Sequence, residues 1–124
     1  ICIGQLPLPV LLDMGAGLAA ALRADGNRAL IVASSDMTHY ESGEAAHRKD
    51  FLALDRVLAL DPAGLHETVR SRSISMCGVL PAVIMLQAAI DLGARTAELV
   101  EYANSGDITG DQSEVVGYAG VRII

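Results

Sequence analysis

Ala29–Tyr40 reads ALIVASSDMTHY, and the fold turns on how its two halves are taken. Ala29 to Ala33 is a short apolar run containing Ile31 and Val32, the pattern of a strand buried on both faces. It stops at Ser34-Ser35-Asp36, passes through Met37-Thr38-His39-Tyr40, and gives way to a charged helical segment. An apolar strand running into Ser, Asp and His delivers polar side chains to the carboxyl edge of a sheet, where open α/β sheets bind ligands. Asp36 and His39 stand three residues apart there, close enough for a carboxylate to orient an imidazole. The same residues also suit a plainer role, in which Ser34, Ser35 and Asp36 cap the next helix and His39 lies on the surface. Spacing alone leaves both open.

Upstream, Ile1–Ile3 is expected to form a short strand, followed by Pro7 and Pro9, which suit a helix start. Leu11, Leu12, Gly15, Leu18, Ala19 and Leu22 recur at helical spacing and predict a helix over roughly residues 9–24, stopped by Asp25-Gly26-Asn27. Strand, helix and the ALIVA run then make a βαβ unit, which implies parallel pairing.

Downstream, residues 43–60 predict an amphipathic helix with Ala46, Phe51, Leu54, Val57 and Leu58 inward. Arg48, Lys49, Asp50, Asp55 and Arg56 are expected outward, with His47 solvated among them. Asp61-Pro62 is a helix-start signal, opening a short helix to about Arg70 that carries His66 on its surface. SISMCGVLP, residues 73–81, introduces an apolar helix to about Leu92, closed by Gly93. Cys77 falls in or just before its first turn, where backbone N–H groups and the helix dipole favour a thiolate. A buried structural cysteine is the alternative there, and it is the reading for Cys2 inside its apolar strand. Thr96–Ala103 and Glu114–Ile123 predict two antiparallel strands. Between them, Asp107 and Asp111 are read as turn residues ahead of metal ligands.

The chain has 124 residues, enough for one domain, and is 52% hydrophobic but only 3% aromatic, so its core must be aliphatic. A net charge of −6 without a basic cluster argues against nucleic acid and anionic membranes as partners. No apolar run has membrane-spanning length. Two dissimilar, distant cysteines fit a reducing, cytoplasmic setting. The pattern predicts an α/β layer structure, a mixed sheet with helices on both faces.

SSDMTHY after a strand, SISMCGVLP at a helix start, and YANSGDITGD followed by EVVGYA together resemble the Memo family, which includes protein B of the AmmeMemoRadiSam system. The resemblance runs over nearly the whole chain, so residues 1–124 read as a single Memo-like α/β domain. It implies a fold similar to the class III extradiol dioxygenases: a three-layer sandwich with a mixed, mostly parallel sheet. It further implies a pocket to which this chain brings Asp36, His39 and Cys77, with His39 and Asp36 in the catalytic role and Cys77 and His39 as metal ligands. Fe(II) is the implied ion, with Cu or Zn as alternatives, and no nucleotide cofactor is expected. A thiolate in place of a dioxygenase carboxylate softens the site.

Two further histidines of the family pattern would precede Ile1, so the chain is expected to be the C-terminal part of a larger domain. An N-terminal half or a second copy is the expected neighbour, and a small molecule or peptide the expected occupant of the pocket. The implied function is a metal or redox pocket whose reaction the resemblance leaves open. The rivals are a non-haem iron dioxygenase acting on an aromatic-like compound, a non-enzymatic peptide or protein interaction module, and a cysteine hydrolase built on Cys77, His39 and Asp36.

Overall fold

The computed structural model describes residues 3–124. Helix α1 spans Leu8–Asp25, α2 Gly43–Leu58, α3 Pro62–Ser71 and α4 Val79–Leu92, with a four-residue α5 at Gly106–Thr109. Strands β1 (His39–Glu41), β2 (Ala97–Asn104) and β3 (Val115–Ile123) form a sheet in the order β1-β3-β2, and both pairings are antiparallel.

The helix ends follow local chemistry. Pro7 and Pro9 lead α1 in, and Gly26 ends it in the left-handed region at φ 68°. Ser42 accepts the Ala45 N–H at the start of α2. Asp61 accepts the Gly64 N–H at 2.8 Å, with Pro62 in the first turn of α3. Gly93 closes α4 at φ 110°. Helix α4 is apolar nearly all round, which suits a central helix. It packs between α1 and α3 and buries Val83 and Leu86 against Leu11 of α1 and Leu65 of α3. Gly15 brings α1 close to α4, because a Cβ there would stand 2.6 Å from Gln87 Cβ. Truncating any of these leucines to alanine is worth about 2–5 kcal/mol.

In β3, Val115, Gly117, Ala119, Val121 and Ile123 alternate with more exposed residues and face inward, toward α2 and the core. The opposite face carries the cross-strand ion pair Glu98–Arg122 at 2.7 Å, with Val100 and Tyr118 exposed among the described residues. A bulge between Leu99 and Glu101 interrupts the β2–β3 ladder.

Ala29–Ala33 departs from expectation. It is not a strand, and no backbone hydrogen bond to another described residue holds it. Leu30 is 87% and Val32 75% exposed. An apolar run becomes a buried strand only if neighbouring strands take its N–H and C=O groups, and the described residues supply none. The parallel βαβ unit is accordingly absent among them. Of the expected opening strand, Ile1 and Cys2 lie outside the described residues, and Ile3 is not in a strand.

Two side chains placed outside by the helical pattern are inside. Asp50 is fully buried and His66 is 7% exposed. Each falls on its helix's apolar stripe: Asp50 lies four residues from both Ala46 and Leu54, and His66 four from Pro62 and three from Val69.

Candidate metal centre

The Ala29–Tyr40 segment ends against the start of α4, and this junction gathers the polar residues. Gly78 makes the approach feasible, since a Cβ there would lie 2.5 Å from both the Ser34 carbonyl oxygen and Ser35 Cβ. With no side chain of its own to cap α4, Gly78 donates its N–H to Ser35 Oγ at 2.8 Å, and that hydroxyl donates to the Asp36 carbonyl at 2.7 Å. The Asp36 backbone N–H in turn donates to Cys77 Sγ at 3.2 Å. Cys77 is therefore tied to the loop rather than turned into the core, and it is exposed.

His39 is held from both ends by Ser75. Its backbone N–H donates to Ser75 Oγ, and its ring Nδ1 lies against the Ser75 carbonyl oxygen, each at 2.8 Å. A carbonyl can only accept, so in the neutral ring Nδ1 carries the proton and Nε2 presents its lone pair. Nε2 faces Asp36 Oδ2 at 3.6 Å. One ligand atom each from Asp36, His39 and Cys77 lies within 4.8 Å of the others. Donors around a tetrahedral ion stand roughly 3.3–3.8 Å apart, given bonds of about 2.0–2.3 Å, so the cluster is near a coordinating geometry. Fixing one imidazole nitrogen on a carbonyl while the other is free is how metal-binding histidines are oriented. The donor set fits a transition-metal ion, and three protein ligands leave a position open.

Beside the cluster opens a cleft of about 540 Å³ whose lining includes Gln5, His66, Arg70, Ser75 and Cys77. The remaining expected residues stay out of the cluster. His47 is exposed and stacks on Phe51 at a centroid distance of 4.3 Å, edge-on to Tyr102. Asp107 accepts the Asn104 N–H, and Asp111 accepts the Ser113 N–H and hydroxyl, so both are turn residues. The Ser113 bonds hold the exposed Asp111 carboxyl below its ordinary value.

Ser35, expected as a cap of the next helix, instead serves the start of α4, while the dependence of the loop on Ser75 and Asp50 has no counterpart in the sequence reading. For Asp50 a signal existed, an acid in the middle of an apolar stripe. Its Oδ1 accepts the Thr38 N–H and its Oδ2 the Tyr102 hydroxyl, both at 2.8 Å. Burial, and then the hydrogen bond to Asp50, push the Tyr102 phenol well above its ordinary value.

A thiol, an imidazole and a carboxylate gathered on this framework define a class, the α/β proteins with a candidate single-ion pocket. The model of the family described as Memo-like protein matches residues 1–122, and the chain belongs to that family. It is 43% identical over 123 residues to a MEMO1 family protein of Methanosarcina acetivorans, covering 99% of this chain and 46% of that protein. It is 42% identical over 119 residues to one from Methanocaldococcus jannaschii, covering 96% and 42% respectively. A third, from Methanopyrus kandleri, is 37% identical over 121 residues, covering 98% of this chain and 43% of the relative. The chain thus spans a little under half the length of these curated relatives. No described helix is long and apolar enough to cross a membrane.

Proposed function

We propose that this chain carries one side of a single-ion metal or redox centre in a Memo-like protein. Cys77 and His39 are its ligands, and Asp36 lies beside them as a carboxylate placed to handle a proton of a molecule bound at the ion. The observation that supports this most is the approach of a thiol, an imidazole nitrogen and a carboxylate to within 4.8 Å while Ser75 holds the other imidazole nitrogen. Thiolate and imidazole favour Fe(II), Cu or Zn over Mg or Ca. When bound, such an ion supplies Lewis acidity or a redox couple beside the cleft. The protein's own residues do the rest: Ser75 sets the tautomer of His39, and the Asp36 N–H stabilises negative charge on sulfur. The cleft beside Cys77 takes a small molecule or a peptide.

The finer architecture belongs to the whole protein. In this reading Ala29–Ala33 becomes an interior strand of a mostly parallel sheet, in a three-layer, extradiol-dioxygenase-like sandwich, once the other half of a full-length Memo-like chain supplies its neighbours. That half also brings the two further histidines that the family resemblance implies. A second copy of the chain is the alternative cover for the same surface. The cytoplasm is the compartment in which Cys77 stays reduced.

The test is a zinc and Fe(II) titration of the full-length protein, expected to show one ion per chain. Cys77→Ala and His39→Ala should each weaken it by roughly 100-fold or more, as removal of a direct ligand exceeds the 10–100-fold cost of losing its support. Unchanged affinity in both variants would reject the centre. Iron-dependent oxygen uptake with catechol-like compounds would select the dioxygenase reading. Partner binding indifferent to chelators would select an interaction module. The hydrolase reading is disfavoured by one contact. An orienting carboxylate belongs on Nδ1, but Ser75 occupies that nitrogen and Asp36 faces Nε2.

A further inference from the structure

From residue 36 to residue 39, the four backbone N–H groups go to three parts of the molecule. Asp36 N–H goes to Cys77 Sγ, Met37 N–H to the Gly117 carbonyl of β3, Thr38 N–H to Asp50 Oδ1 of α2, and His39 N–H to Ser75 Oγ. Asp50 is the one charged and fully buried partner among the four. It has no ion pair among the described residues, so its carboxylate rests on hydrogen bonds from Thr38 N–H and the Tyr102 hydroxyl. Burying a carboxylate without a cation is costly, and a neutral apolar residue would continue the stripe of α2 without that cost. Gly117 makes room for it, because any Cβ at that position would overlap Asp50 Oδ2. Strand β2, strand β3 and helix α2 thus converge on one carboxylate that fixes the position of Thr38. Thr38 lies between Asp36 and His39.

We infer that Asp50 is the positioning residue of the candidate centre: through the Thr38 N–H it sets the spacing between Asp36 and His39, and Tyr102 holds it in place. The inference rests on reading the Asp36, His39 and Cys77 cluster as a metal centre. Thr38 contributes its main chain rather than its side chain, since its hydroxyl oxygen is buried without a partner among the described residues. Asp50 does not line the cleft and is bonded to Thr38 and Tyr102, so its effect reaches the site through the loop.

The experiment compares Asp50→Ala, Asp50→Asn and, as a control of stability alone, Leu11→Ala in the full-length protein. Zinc affinity is measured together with metal-free amide exchange at residues 36–39. Asp50→Ala should weaken zinc by roughly 10–100-fold and speed exchange at Thr38 and His39 beyond the general loosening seen in Leu11→Ala. Asp50→Asn keeps an oxygen for the Thr38 N–H and should restore most of both. An Asp50→Ala protein indistinguishable from the Leu11→Ala control in zinc affinity and in loop exchange overturns the proposal. If the wild type binds no zinc, the metal reading fails, and the metal-free exchange still decides the role of Asp50. If Asp50→Ala does not fold, Tyr102→Phe decides: a several-fold loss of affinity with faster Thr38 exchange supports the role, and no change in either overturns it.

Discussion

Residues 29–33 and 36–39 are near neighbours in the chain and opposites in the structure. The first stretch is apolar, exposed and without backbone partners among the described residues. The second is polar, and all its backbone N–H groups are taken. The apolar stretch has no neighbouring strand among the described residues. The polar loop is determined by contacts already present, from α2, β3 and the segment before α4. The loop that carries the candidate ligands is therefore held by contacts that the apolar stretch before it lacks.

The sharpest way to break that comparison is hydrogen exchange on this chain and on a full-length Memo-like protein. Amides of residues 30–33 should slow by orders of magnitude in the longer protein, because unpartnered exposed amides have essentially no protection and core strands approach the global stability. Amides of residues 36–39 should change far less. Equal gains in both stretches would show that the loop is no more self-sufficient than the run before it.

Gly78→Ala attacks the junction directly. Its Cβ would stand 2.5 Å from backbone and side-chain atoms of Ser34 and Ser35, an overpacking worth about 1–3 kcal/mol. Thermal melts should show that loss, and Cys77 should react differently with alkylating agents as the loop withdraws. A substitution neutral in both assays would mean that the close approach does not hold the loop.

Much of this arrangement is legible in the sequence, for definable reasons. Helix ends are written in local chemistry, as at Asp61-Pro62 and Gly93, and the two long strands announce themselves by alternation. Asp36, His39 and Cys77 are legible because their motifs stand together in order. Asp50 and His66 are misread because charge and polarity are scored residue by residue, whereas burial is decided by the partners that arrive from elsewhere. The Thr38 N–H and the Tyr102 hydroxyl are such partners, and neither is visible from α2. Ala29–Ala33 fails for the converse reason: its apolarity is plain, but a strand also needs a neighbour.

Smaller effects sharpen the picture further. Thr38→Val removes the partnerless hydroxyl and leaves the N–H, so stability should be unchanged or rise by up to about 1 kcal/mol. A loss well beyond that in chemical denaturation would show that the hydroxyl, not the main chain, anchors the loop. Smallest is a pH effect. The folded state favours the neutral phenol of Tyr102 over the unfolded value near 10.0. Its contribution is therefore complete below about pH 10 and is lost as pH rises further. Phenolate absorbance should show a late-ionising tyrosine that Tyr102→Phe abolishes, and the same substitution should flatten that alkaline loss of stability.

Strand β1 contains an irregularity that has a genetic reading. His39 pairs with Val116 and Glu41 with Val115, so Tyr40, at φ 56°, is an extra residue in the ladder. A three-base deletion removing Tyr40 would leave two adjacent residues opposite two adjacent residues, a regular antiparallel step without the left-handed backbone. A deletion of the same size at any of the four preceding positions would break the set of N–H bonds that holds the candidate ligands. Within a few codons, then, the ladder predicts both a place where a residue can be lost and a place where it cannot.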